Sequence, residues 1–198
     1  MAKTILRTQA DFTTRPWRVL DSRVVIDNRW LHIRQDTCQV SDERVIDDYY
    51  VLEENDVACI FALTDDHQVL LVEQYKHGIG KVCVELPAGI FDAPDANPLE
   101  EAQRELLEET GYTTAKMECV GVLPISPSRA TFSMHLFVAT GCYKVAEQSL
   151  DPNEAIVVHT VPFDQVMTLI HTGLIDAVPT IGGVYLAVDF LRRQGINL

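Results

Sequence analysis

Between Asp92 and Glu109 the sequence holds seven acids, Asp92, Asp95, Glu100, Glu101, Glu105, Glu108 and Glu109, against one base, Arg104. The local signals make this stretch a helix over Pro98 to Thr110. Asn97 is a suitable N-cap, Pro98 fits the first helical position, Glu100 stands three residues after the cap, and Gly111 is a C-terminal stop. On a helical wheel with Glu101 at zero, Glu105 falls at about 40°, Glu108 at about −20°, Glu109 at about 80° and Arg104 at about −60°. Leu99, Ala102, Leu106, Leu107 and Thr110 fall on the other side, facing a core. Like charges at i,i+4 destabilise a helix by a few tenths of a kcal/mol per pair, and a solvated face usually interleaves lysine. A carboxylate cluster so nearly unpaired needs a counter-charge. Hard divalent cations with oxygen ligands supply one, and Mg²⁺ keeps coordination positions for substrate phosphates. The chemistry expected is therefore on a phosphate ester or anhydride. Leu86-Pro87-Ala88-Gly89 before the helix reads as a compact turn whose backbone groups can add a metal ligand or grip a phosphate.

The elements that must position this helix are mostly strands. Arg18 to Ile26 and Trp30 to Val40 flank a turn at Asp27-Asn28. Arg44 to Leu52, Val57 to Leu63 and Gln68 to Tyr75 follow, with a turn cluster at Thr64 to His67. Strands resume at Lys116 to Leu123 and Met134 to Thr140. The last third reads as two helices, Phe163 to Thr172 and Thr180 to Arg193, closed by Gly173 and Gly195. Strands first, one helix in the middle and helices last make an α+β chain. Residues 1–16 are polar and read as a loose arm or an interface strand.

The whole composition constrains partners. The chain has 198 residues, 47% of them hydrophobic, and a formal net charge of −13. That is core enough for a folded domain. It argues against nucleic acid and against an anionic membrane surface, both of which recruit Lys and Arg. The longest apolar run, Val57 to Leu63, is far short of the ~20 residues a spanning helix needs. The N-terminus has no apolar core of a signal peptide. The five cysteines are scattered without a C-x-x-C pair, which excludes a disulfide scaffold or a thiolate zinc site and makes buried hydrophobes of most of them. A cytoplasmic protein is expected.

Taken together, these residues resemble the Nudix hydrolases, whose signature reads G-x5-E-x7-R-E-U-x-E-E-x-G-U, with U a bulky apolar residue. Arg104-Glu105-Leu106-Leu107-Glu108-Glu109-Thr110-Gly111-Tyr112 matches its second half and Gly89 supplies the opening glycine. The Gly89-to-Arg104 stretch is one residue longer than the signature, and its first glutamate is replaced by Asp95 or Ala96, depending on the end counted from. Val72-Glu73-Gln74-Tyr75-Lys76, Glu85-Leu86-Pro87-Ala88-Gly89, and Asp176-Ala177 with Thr180 look like the branch that cleaves ADP-ribose and nucleoside diphosphate sugars.

The resemblance implies a Nudix fold, a mixed β-sheet core sandwiched by helices. It divides the chain into an N-terminal antiparallel β region over 1–55, used for homodimerisation, and a hydrolase domain over 56–198 with C-terminal helices. It implies Mg²⁺, with Mn²⁺ as a substitute, held by Glu105, Glu108, Glu109 and the Ala88 carbonyl. Arg104 would orient a glutamate, and Asp95 would stand in for the missing one. Lys76 and Arg129 become candidates for phosphate contacts and Glu85 for a substrate contact. Trp30 and Tyr50 are candidates for the nucleoside end, with core or interface packing the favoured role. The loop from Ile125 to Ser133 carries no acid, so the general base is left among Glu108, Glu109, Glu85 and a later acid such as Glu154. His135 reads as a strand residue. The expected activity is Mg²⁺-dependent hydrolysis of the diphosphate bond of ADP-ribose or a related nucleoside diphosphate sugar. Alternatives are a domain that senses a nucleotide sugar without turnover, or an enzyme for another diphosphate such as NADH or a dinucleoside polyphosphate.

Overall fold

A computed structural model describes residues 14–196. Nearly all of the polar arm expected at residues 1–16 lies outside them. The chain divides into two compact units. One runs up to Glu54 and takes in Ser128–Ala130, and the other holds Asn55–Pro127 and the residues from Thr131 onward.

The first unit is a three-stranded antiparallel sheet of β1 (Arg18–Asn28), β2 (Leu31–Ser41) and β3 (Arg44–Glu53), in that order. Asn28 makes the first hairpin turn, its Oδ1 accepting the amides of Trp30 and Leu31. This is the local bonding that suits Asn to turns. Arg34 pairs with Asp36 and Glu53 across β2 and β3. The segment at 128–130 is fixed to this unit by the Leu52 amide, which donates to the Arg129 carbonyl at 2.8 Å, and by the Tyr49 hydroxyl on the Ser128 carbonyl. β1 is exposed along its whole length.

The second unit is an eight-stranded mixed sheet. Its central order is β11 (Ile156–Pro162), β5 (Gln68–Lys76), β4 (Val57–Thr64), β10 (Ser133–Lys144) and β8 (Tyr112–Thr113). β6 (Lys81–Glu85) adds to β5, β7 (Ala88–Ile90) to β4 and β9 (Lys116–Pro124) to β10. β4 and β10 run parallel, and the other pairs are antiparallel. The near-continuous apolar runs of β4 and β5 belong to strands covered on both faces. Cys59, Phe61 and Leu63 point to one side with Val69, Leu71, Leu136 and the apolar faces of α2 (Phe163–His171) and α3 (Val178–Arg193). Ala58, Ile60 and Ala62 point to the other, under Ala102 and Leu106 of α1 (Pro98–Thr110). The α+β architecture and the sheet between helices are as the sequence indicated.

Three local readings are corrected. Ala88-Gly89-Ile90 is a short strand on β4 rather than only a turn. β6 and β11 are strands beyond those the sequence indicated, although the β-branched run from Ile156 to Val161 carries strand propensity. Leu99 and Leu107, expected in the core, are 38% exposed, and only Ala102, Leu106 and Thr110 of that set are buried. Four cysteines are buried and Cys119 is exposed, all as free thiols. Among the described residues, no helix is long and apolar enough to cross a membrane.

Candidate active site

Helix α1 starts and stops as its sequence dictates. The Asn97 side chain accepts the Leu99 amide at 3.1 Å, and Gly111 closes the helix at φ 75°, its amide donating to the Leu107 carbonyl. These ends fix which side chains turn inward. The acidic face is not simply solvated: Glu101, Glu105 and Glu109 are buried, and Glu108 is the more open. Burial disfavours the charged form of a carboxylate. It pushes Glu109 up to about 8 and Glu105 up to about 7, with neighbouring acids adding to the effect.

Three contacts hold these two side chains. The Ala88 amide donates to Glu109 Oε2 at 2.9 Å. A Cβ on Gly89 would overlap the Glu105 carboxylate where it now lies, so glycine lets that carboxylate rest against the backbone. Arg104 reaches Glu105 at 2.9 Å, Glu108 at 2.7 Å, Glu101 at 2.6 Å and Asp92 at 3.5 Å. Asp95, expected to support Arg104, is not among these partners. Asp92 and Glu101 do so, and Glu101 also accepts the Asp92 amide at 3.2 Å, which ties the loop back to the helix.

A cavity of about 240 Å³ opens beside Glu109. Its walls include Lys76, Glu85, Ala88, Gly89, Glu109 and Thr180. Lys76 pairs with Glu85 at 3.1 Å and bonds Gln74 at 2.6 Å. Of the residues expected at the site, the second unit thus assembles Lys76, Glu85, Ala88 and Glu109 around one cavity, with Glu105, Glu108 and Arg104 on the adjoining helix. Trp30 and Arg129 belong to the first unit. Trp30 is 64% exposed and Tyr50 46%, so neither is the core filler considered above, and Arg29 lies over the Trp30 ring at 4.2 Å. His135 is a β10 residue whose Nε2 meets Asp56 at 2.7 Å.

Sequence reasoning missed the segment between β10 and β11 as part of the helix's surroundings. The Val145 and Ala146 amides bond the Gly111 carbonyl, the Ser149 amide donates to the Glu108 carbonyl at 2.9 Å, and the Gln148 side chain donates to the Glu109 carbonyl at 2.6 Å. These satisfy carbonyls that a helix C-terminus leaves bare. Further along that segment, the charge of Glu154 is among those raising both Glu105 and Glu109. No periodicity marks such a loop, and only Glu154, already named among the candidate bases, drew attention to it.

The donor set fits a hard divalent cation. It offers carboxylate oxygens, two of them buried and repelling each other, and a glycine cradle that a Cβ would fill. Among the described residues, no three acidic, imidazole or thiol groups stand converged as a ready cation cage. Arg104 draws Glu101, Glu105 and Glu108 toward itself instead.

A NUDIX domain model matches residues 54–180, well over half of the chain. The chain belongs to the NUDIX family. A model of the nucleoside diphosphate sugar hydrolase N-terminal domain matches residues 17–52. This NUDIX chain is 32% identical to the methanol dehydrogenase activator of Bacillus methanolicus over 136 residues, 68% of this chain and 71% of that protein. It is 31% identical to the ADP-ribose pyrophosphatase of Bacillus subtilis over 114 residues, 57% of this chain and 61% of that one. The fold matches a crystal structure of an ADP compounds hydrolase with a TM-score of 0.82 at 20% identity, covering 94% of this chain and 100% of that one.

Proposed function

We propose that this NUDIX enzyme hydrolyses the diphosphate bond of ADP-ribose or a related nucleoside diphosphate sugar, giving two phosphate monoesters, with Mg²⁺ as its metal and Mn²⁺ as a substitute. The observation that carries the reading is the pairing of buried Glu105 and Glu109 with the Ala88–Gly89 backbone, at a cavity that also presents Lys76.

Glu105, Glu108, Glu109 and the Ala88 carbonyl would hold the cation. When bound, it neutralises diphosphate charge and lowers the pKa of a coordinated water. The chain's own groups do the rest. The Ala88 amide fixes one oxygen of Glu109 in the wall of the cavity. Arg104 orients Glu105 and Glu108 from the side. Lys76, released from Glu85, gives a point charge to a phosphate oxygen, and Glu85 is then free to accept from a substrate hydroxyl. Glu154 is taken as the group that removes the water's proton: its charge is among those acting on Glu105 and Glu109, its loop is tied to the end of α1, and the Asp151 amide donates to its carboxylate at 3.1 Å.

The region over 1–55 serves as a dimerisation unit in this reading, and residues 56–198 as the hydrolase domain. The exposed Val19, Leu20, Val24, Val25 and Ile26 on β1 support an apolar surface covered by a second copy. Trp30 suits stacking on a base, and Arg129 a phosphate. The free cysteines suit the cytoplasm.

Purified protein with Mg²⁺ and a panel of ADP-ribose, ADP-glucose, GDP-mannose and UDP-glucose tests the activity. Release of two phosphate monoesters from at least one is expected. Tight binding without turnover of any would replace hydrolysis with sensing.

A further inference from the structure

Helix α3 begins without a cap. Its N-cap position is Ala177, no side chain bonds its first amides, and no acid stands in its first turn. Pro179 has no N–H to place, and the Ile181 amide donates to the Ala177 carbonyl at 3.0 Å. The Val178 and Thr180 amides remain as donors with no acceptor among the described residues. The aligned peptide dipoles add about half a positive charge at such an end.

Thr180 turns this helix end toward a ligand. The residue is 3% exposed and walls the cavity beside Glu109. Its hydroxyl has no hydrogen-bond partner among the described residues. The one side-chain polar atom there that is both sealed from solvent and without a partner is Arg104 Nε. The Thr180 hydroxyl therefore opens onto the cavity. Burying a hydroxyl without a partner costs free energy, and valine would fill the same space without that cost. A ligand that completes the hydroxyl's bonding removes the conflict. Free amides can only donate, and with the dipole they favour a negatively charged acceptor over a neutral sugar hydroxyl. Lys76 walls the same cavity and adds a positive charge. At about 30 Å³ per water, the cavity's volume of about 240 Å³ has room for a phosphate group.

We propose that the first turn of α3 is a phosphate subsite, in which the Thr180 hydroxyl and amide donate to an oxygen of the substrate's diphosphate. The proposal rests on the diphosphate hydrolysis argued above and adds a second protein grip on the same group, separate from the carboxylates of α1. Thr180 binds substrate and takes no part in moving the proton.

The test compares the full chain as wild type, Thr180→Val and Thr180→Ser. Binding of inorganic phosphate to the metal-free protein is followed by NMR titration, and steady-state kinetics are measured on ADP-ribose with Mg²⁺. Thr180→Val should weaken phosphate binding and raise KM about tenfold, as for a lost hydrogen bond to a charged group, with kcat little changed. Thr180→Ser keeps the hydroxyl and should stay close to the wild type. The metal-free melting temperature of Thr180→Val should equal or exceed that of the wild type, because an unpaired buried hydroxyl is gone. A marked fall in it makes Thr180 a structural residue and overturns the subsite. Phosphate binding that is absent in the wild type, or unmoved in Thr180→Val, overturns it too. A raised KM with unmoved phosphate binding gives the hydroxyl to the sugar and likewise overturns it. Phosphate binding that depends on Thr180, without turnover of ADP-ribose or any nucleoside diphosphate sugar by the wild type, removes the hydrolase reading and keeps the phosphate subsite.

Discussion

Glu109 is the residue with the most conflicting demands. It is 4% exposed, accepts the Ala88 amide, and shares its surroundings with Glu105 and Glu154. A buried carboxylate with one hydrogen bond and like-charged neighbours weakens the fold that carries it. Such tension is typical where function, not stability, selects the residue. Glu109→Gln keeps an acceptor for the Ala88 amide and removes the charge. It should lower kcat by at least about a hundredfold, as expected for losing a charged group at the reacting centre. Its metal-free melting temperature should equal or exceed that of the wild type at pH 8. A variant both inactive and markedly less stable would make Glu109 a structural residue. The cysteines give a second test at this scale. Burial raises the Cys59 and Cys142 thiols to about 12, which leaves them protonated and shielded. In the native protein a maleimide should label Cys119 alone, and the other four should react only after unfolding, read by mass spectrometry of the digested chain.

At the scale of elements, the end of α1 and the segment after β10 work as one piece. Gly111 sits at φ 75°, and a Cβ there would collide with the Ala146 carbonyl oxygen. Two separate constraints, one conformational and one steric, therefore require glycine at this position. Gly111→Ala should destabilise by at least about 2 kcal/mol, a melting shift of roughly 5 °C for a chain of this size. A shift under one degree would mean the loop yields freely. Gln148 bridges the Glu109 carbonyl and the Ile156 carbonyl, the latter at 3.2 Å, so it spans the segment carrying Glu154. If Glu154 handles the proton, Gln148→Ala should reduce kcat about tenfold through lost positioning, with KM little changed. Equal loss in both constants would point to substrate binding instead.

For the whole molecule, the −13 charge is partly a local matter, concentrated between Asp92 and Glu109. Arg104 offsets some of it through four carboxylates, and a divalent cation would offset more. A ligand that binds only the folded state stabilises it by about 2.7 kcal/mol at a hundredfold excess over its Kd. Mg²⁺ should therefore raise the melting temperature of the wild type by several degrees, and by clearly less in Glu109→Gln. An equal rise in both would place the cation elsewhere.

The sequence alone determined the helix, its caps, the acidic face and the family resemblance, because these depend on spacing within a few turns. It also placed strands over Val57 to Leu63 and Gln68 to Tyr75, while their burial on both faces came from the packing. Tertiary structure decided the rest. Arg104 takes Asp92 rather than Asp95 because the loop is folded back by Glu101 onto the Asp92 amide, a path no spacing rule specifies. The Ala88 amide meets Glu109 because β7 pairs with β4 while α1 packs over the same sheet, contacts between residues 21 apart. The segment after β10 reaches the end of α1 because helix carbonyls need partners and the chain supplies them from 39 residues away. Local rules fix which residues can do chemistry. Which of them meet is set by long-range packing, and that is written in no short stretch of the chain.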